Sequence, residues 1–227
     1  MNAPFREQTV IITRRAFTTA ALSLTGLGLL GAFSPLRLIT EAMAQGPADV
    51  AKPVSLPDMA LGPANATVTI TEYASMTCPH CANFNETVFP KLKSEFIDTG
   101  KIRYVFREFP LDIKAAAGSM LARCIAKDDA PKYFAVIDLL FKQQDQLMEQ
   151  TKDTIKLIGK QAGMDELAVE TCAKDQALLD KIKADQAFAY ETLKVDATPT
   201  FFVNGERLRG AMSFEELEER IKPRLKK

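Results

Sequence analysis

Hydrophobic and polar positions along this chain change their period several times. From Thr67 to Tyr73, β-branched residues recur with the period of two that marks a strand. Past Cys78-Pro79-His80-Cys81, the residues Phe84, Val88, Leu92 and Phe96 fall at every fourth position, the stripe of an amphipathic helix. Pro90 lies inside that stripe; it has no N–H to give and crowds the preceding turn, so a kink is expected there. Gly100 stops the helix, and Lys101 to Phe109, rich in Ile, Tyr, Val and Phe, reads as a second strand.

Helical spacing then holds from about 112 to 193. Ala116, Met120 and Cys124 share one face, Phe134, Ile137 and Phe141 another, and Ile155 and Ile158 begin a third that Gly163 closes. Asp165 caps a short helix carrying Ala168 and Cys172, and a last helix holds Leu178, Leu179 and Ile182. The polar run Lys142 to Asp153 is read as a solvated helix end and loop. Strand character returns at Thr198 to Val203, followed by an Asn204-Gly205 hairpin turn and a returning strand from Glu206 to Gly210. Ser213 and Glu216 form a capping box for a final helix that turns Phe214, Leu217 and Ile221 inward. The order is strand, helix, strand, a helical block, then hairpin and helix: an α/β unit (65–111 and 194–227) split by an inserted helical domain (112–193).

The amino-terminal residues belong to neither part. Arg14-Arg15 precedes an uncharged run from Ala16 to Phe33, and a short polar stretch ends at Ala42-Met43-Ala44. Residues 1–44 thus have the order of a secretory signal peptide, with cleavage after about Ala44; Thr13-Arg14-Arg15-Ala16-Phe17 resembles a twin-arginine signal, and Sec export stays open. An uncleaved anchor is the alternative, since a run of this length just spans a bilayer. Either way the remainder lies outside the cytoplasm, in the periplasm, where disulfides persist. Residues 45–64, rich in Pro, Ala and Gly, form an extended arm too short for a dimerisation domain, so a monomer is expected.

Composition changes this picture little. The full chain holds 29 basic and 29 acidic residues, and residues 1–44 take away four and two of these, leaving a formal charge of −2. No nucleic-acid partner is implied. The chemistry lies in the cysteines. A thiolate, not a thiol, attacks a disulfide, and an ordinary cysteine pKa of about 8.5 leaves little thiolate at neutral pH. Cys78 precedes a helix, where unpaired N–H groups and the positive dipole end favour negative charge. Pro79 suits the first helical position, and His80, in the same turn, can donate to the sulfur or carry charge near it. A stabilised thiolate favours the reduced form, so the disulfide is readily given away. Cys81, one turn on, is the resolving partner. Zinc would need a second close Cys/His pair, and Cys124 and Cys172 are 48 residues apart with no histidine near them, so no metal is expected.

Two segments, Glu72-Tyr73-Ala74-Ser75-Met76-Thr77-Cys78-Pro79-His80-Cys81 and Thr198-Pro199-Thr200-Phe201-Phe202-Val203-Asn204-Gly205, resemble the DsbA family of periplasmic thiol–disulfide oxidoreductases, and in detail its Com1-like alphaproteobacterial branch. The resemblance spans about 55–225 and implies a thioredoxin fold with an inserted helical domain. It implies Cys78 as nucleophile, Cys81 as buried resolving thiol, Thr198-Pro199 as a cis-proline loop that binds substrate peptide as an added strand, and Glu72 as a buried acid assisting proton transfer to Cys81. It also implies that Cys124 and Cys172 form a second, structural disulfide, with buried free thiols or a regulatory redox pair as the other readings. No dissociable cofactor is needed. The partners implied are unfolded exported proteins and a DsbB-like membrane quinone reductase. Thr198 departs from the Val of the best-known oxidases, which keeps open an isomerase or reductase held reduced by a membrane donor. A non-catalytic holdase or surface interaction protein is the reading in which the thiols are incidental.

Overall fold

The structure is a computed structural model that describes residue 50 and residues 55–225. The targeting segment lies outside the described residues, as does most of the first half of the arm. Five strands, β1 (Met59–Leu61), β2 (Val68–Ala74), β3 (Ile102–Glu108), β4 (Thr200–Val203) and β5 (Glu206–Arg209), form one sheet in the order β1-β3-β2-β4-β5. The central pair β2 and β3 is parallel, and β1, β4 and β5 join antiparallel. The arm therefore supplies an edge strand, with Met59 opposite Phe106 and Leu61 opposite Tyr104. Three paired residues between Pro57 and Pro63 are too few to show a period, so the pattern of side chains gave no sign of this strand. Gly62, at φ +81°, makes the turn out of it, and a Cβ there would lie 2.1 Å from the Ile102 carbonyl oxygen.

The helix after β2 breaks at the proline. It runs as α1 (Pro79–Thr87), then α2 (Phe89–Leu92), then one π-helical turn (Lys93–Ile97) before Gly100. Its stripe of Phe84, Val88, Leu92 and Phe96 is buried against the sheet and against α9 (Phe214–Ile221), with Phe84 on Phe201 and Phe96 on Phe214.

Six helices occupy the chain between β3 and β4: α3 (Ile113–Ala126), α4 (Ala130–Lys142), α5 (Gln144–Glu149), α6 (Thr151–Gln161), α7 (Glu166–Ala173) and α8 (Gln176–Glu191). Asp112, Asp129, Asp165 and Asp175 cap α3, α4, α7 and α8, each accepting a backbone N–H three residues on. The polar run 142–153 differs from its sequence reading. It is helical from Gln144 to Glu149 and again from Thr151, and it buries Gln144 and Leu147. The segment is amphipathic over too few turns to show a stripe. Among the described residues, no helix is long and apolar enough to cross a membrane.

α3 packs beneath the active-site loop and touches most of the other helices. At Gly118 a Cβ would meet Met76 at 3.2 Å, so the helix lies close against the residue two before Cys78. Two features hold α3. Its Cys124 is bonded to Cys172 of α7, with Cα atoms 6.2 Å apart. Its Arg123 makes a bidentate pair with Glu108 at the end of β3, and the Tyr133 hydroxyl of α4 donates to the same carboxylate. Arg123 also donates to the Pro57 carbonyl in the arm. Both charged partners are buried, so each depends on the other to offset its desolvation.

Arg123→Met should therefore cost about 3–5 kcal/mol in urea unfolding, because it leaves the Glu108 carboxylate buried without its cation. Adding Glu108→Gln should return part of that loss. Cys124→Ala with Cys172→Ala should lower unfolding free energy by about 4 kcal/mol, the chain entropy of a loop closed across 48 residues. An unchanged midpoint under non-reducing conditions would show that the pairing does not constrain the unfolded chain.

Candidate active site

β2 ends at Ala74, and the next residues are held by short-range polar bonds. The Ser75 hydroxyl accepts the Leu111 N–H, and the Thr77 hydroxyl donates to Asp112 Oδ2 at 2.7 Å while Asp112 Oδ1 caps α3. Cys78 is the N-cap of α1, in extended backbone, and Pro79 follows as the first helical residue. β4 lies antiparallel to β2 with Thr200 opposite Tyr73, which carries the Thr198-Pro199 segment to the end of β2. The Thr198-Pro199 peptide is cis, and the Thr198 carbonyl oxygen is 3.2 Å from Cys78 Sγ. β4 starts only at Thr200, since Pro199 has no N–H for the ladder.

The two cysteines differ sharply in surroundings. Both are thiols here, and Cys78 keeps a slight exposure of 5% while Cys81 has none. Cys78 is pulled down to about 5. The hydrogen bond from the Cys81 thiol does most of this; Thr198 and the backbone N–H groups of Cys81 and His80 add to it, against the opposing effect of burial. The Thr198 hydroxyl is buried without a hydrogen-bond partner, so it is free to turn onto a thiolate. Cys81 is driven far above the ordinary thiol range, first by burial, then by the hydrogen bond it gives to Cys78 and by the nearby charges of Glu72 and Cys78. The His80 and Pro79 side chains are exposed beside Cys78, and it is the His80 main chain that reaches the sulfur.

Glu72 lies on β2 beneath the cysteines and is fully enclosed. Burial pushes its carboxyl up to about 8, opposed by a hydrogen bond from Tyr104 and reinforced by the charge at Cys78. The Tyr104 hydroxyl donates to Oε2, and Oε1 has no partner. The structure thus brings Glu72, Cys78, Pro79, His80, Cys81, Thr198 and Pro199 into one region, while the bonded pair Cys124–Cys172 lies apart in the helices.

Three contributors escaped the sequence reading. Gln144 of α5 is buried and donates through Nε2 to the carbonyls of Met76 (2.9 Å) and Cys78 (3.1 Å), tying the helical block to the loop. Nothing in a polar run marks one Gln as buried. Asp112 could have been found as a cap, since it precedes an apolar helix, but its bond to Thr77 spans 35 residues. Tyr104 sits among strand hydrophobics and looks like any core aromatic.

Comparison with known proteins agrees with this geometry. Residues 55–223 match the family model described as thioredoxin. The chain is 37% identical over 150 residues to a putative protein-disulfide oxidoreductase of Rickettsia bellii, covering 65% of this chain and 57% of that protein. The match thus spans little more than half the length of that relative. The crystal structure of Wolbachia pipientis alpha-DsbA1 superposes with a TM-score of 0.70 at 31% identity, over 78% of this chain and 94% of that one. Oxidised BdbD from Bacillus subtilis gives a TM-score of 0.63 at 25% identity, over 75% of this chain and 94% of that one. By the family model over residues 55–223 and the likeness to Wolbachia pipientis alpha-DsbA1 over most of both chains, the chain belongs to the thioredoxin family and, within it, to the DsbA-like disulfide oxidoreductases.

Proposed function

We propose that this chain is a periplasmic dithiol oxidase that donates the Cys78–Cys81 disulfide to newly exported proteins. The observation that carries the reading is the asymmetry of the pair: a slightly exposed sulfur stabilised as thiolate beside a wholly buried one that resists ionisation. In the oxidised protein, a substrate thiolate attacks Cys78 Sγ. The Cys78–Cys81 bond breaks, and its electron pair leaves with Cys81. A buried thiolate at Cys81 is costly, and Glu72, protonated at neutral pH, gives it a proton. A second substrate thiolate then attacks the substrate sulfur of the mixed disulfide. Cys78 leaves as its stabilised thiolate, the better leaving group of the two. The substrate gains a disulfide and the protein is left as dithiol, two electrons richer.

Thr198 borders Cys78 through its main chain, and an extended substrate peptide pairs along this segment. Pro79 starts the helix whose N–H groups face the sulfur, and His80 adds a polar ring at the exposed rim. Cys124–Cys172 is a structural bond that braces the helices. No dissociable cofactor, metal or nucleic acid enters this cycle. The protein works as a monomer exported by its cleaved signal peptide, and a DsbB-like membrane quinone reductase takes the two electrons back. One other reading, a reductase or isomerase kept reduced by a membrane donor, stays open because Thr198 stands where the best-known oxidases carry Val.

Cys78→Ala should abolish both oxidation of a dithiol peptide and reduction of insulin, and Cys81→Ala should accumulate a mixed disulfide through Cys78. Activity retained by Cys78→Ala would remove Cys78 as nucleophile. The pH dependence follows from the same shift. The Cys78 pKa falls from an ordinary 9.0 to about 5 in the folded dithiol. This stabilises the reduced protein fully above the unfolded-state value and is lost as pH falls through about 5. The disulfide form has no such group. Reduced protein should thus resist unfolding better than oxidised protein at pH 7, with the gap closing towards pH 5. Thermal unfolding of both forms across that range checks this, and a gap independent of pH would contradict it.

A further inference from the structure

Among the described residues, no cation lies beside the Glu72 carboxyl. The ionisable groups that face it are Tyr104 from β3 and Cys78 and Cys81 from the start of α1; on β4 its register partner is Phe201. Its two oxygens are unequal. Oε2 accepts the Tyr104 hydroxyl, and Oε1 is buried with no partner. Tyr104 is itself immobilised, since its ring packs on Phe89 at 5.0 Å and Phe134 at 6.0 Å between centroids. A carboxyl held at one oxygen by a fixed donor has one direction left in which to exchange a proton.

We propose that Tyr104 is a positioning residue for proton transfer at Cys81: its hydroxyl fixes Oε2 of Glu72 and reserves Oε1 as the oxygen that takes and returns the proton. This rests on the reading of Glu72 as the proton partner of Cys81. Tyr104 donates to Oε2, and that donation favours the carboxylate over the acid, so it also opposes burial and keeps Glu72 able to ionise at physiological pH.

The step that isolates this role is resolution. When reduced protein meets glutathione disulfide, Cys78 thiolate displaces one glutathione and forms a mixed disulfide. The Cys81 proton then passes to the Glu72 carboxylate, Cys81 attacks Cys78 Sγ, and the second glutathione leaves with the electron pair. Release of that second glutathione, followed against pH, reports Glu72. Release of the first reports Cys78.

In the wild type, second release should rise with pH with a midpoint near 8. Tyr104→Phe keeps the ring and removes the hydroxyl. Its midpoint should move up by about one pH unit, with second release about tenfold slower at pH 7 and first release unchanged. Fluorotyrosine at position 104, a stronger donor, should move the midpoint down, and it provides the test if Tyr104→Phe does not fold. Glu72→Gln should remove the titration. If Glu72→Gln removes it while both Tyr104 changes leave the profile in place, the positioning role is wrong and the Glu72 reading stands. If Glu72→Gln leaves the profile unchanged, the Glu72 reading itself fails.

Discussion

The pairing of β4 with β2 is the constraint on which the site depends. It is an antiparallel ladder between segments more than a hundred residues apart, with Thr200 opposite Tyr73 and Val203 opposite Ile70. A slip of one residue would turn Phe201 and Val203 out of the core and carry Thr198 away from Cys78. Burial of Phe201 on Phe84 forbids the slip, so core packing behind the site fixes the 3.2 Å contact between Cys78 and the Thr198 carbonyl. The hairpin turn at Asn204-Gly205, both at positive φ, serves the same register: the Asn204 side chain bonds the backbone of Thr67, just before β2, and of Thr69 within it.

On this frame the chemistry is a matter of unequal burial. One helix start presents both sulfurs, but Cys78, at its mouth, has donors around it, and Cys81, one turn deeper, has core on most sides. The same depth that protects Cys81 from solvent denies it a route for its proton, and in the proposed cycle the enclosed Glu72 answers that need. The helical block contributes by position. α3 presses on Met76 through Gly118, Asp112 ties its start to Thr77, and Gln144 holds the Cys78 carbonyl. The disulfide and the Arg123–Glu108 pair keep α3 in place.

Much of this was legible in the residues. The period-two run at 67–73, the kinked stripe from Phe84 to Phe96, the Asp165 cap, the Asn204-Gly205 turn and the Ser213 capping box each carry their cause locally, and each is found within a residue or two of its expected place. Cys78 and Cys81 announced themselves by spacing. What escaped was non-local or too short. β1 has three residues and exists because β3 offers an edge. The helix at 144–149 is set by burial of Leu147 and Gln144, and Tyr104 differs from its aromatic neighbours only in what its hydroxyl meets across the sheet.

In the proposed cycle the Cys78–Cys81 pair is held as a disulfide and given away. The direct measurement is the redox state of the pair in growing cells, read by acid quenching and labelling with a mass-tagged thiol reagent. A disulfide donor should be found with Cys78 and Cys81 predominantly oxidised. A pair found predominantly reduced would contradict donation and make the protein a reductase or isomerase fed by a membrane electron donor.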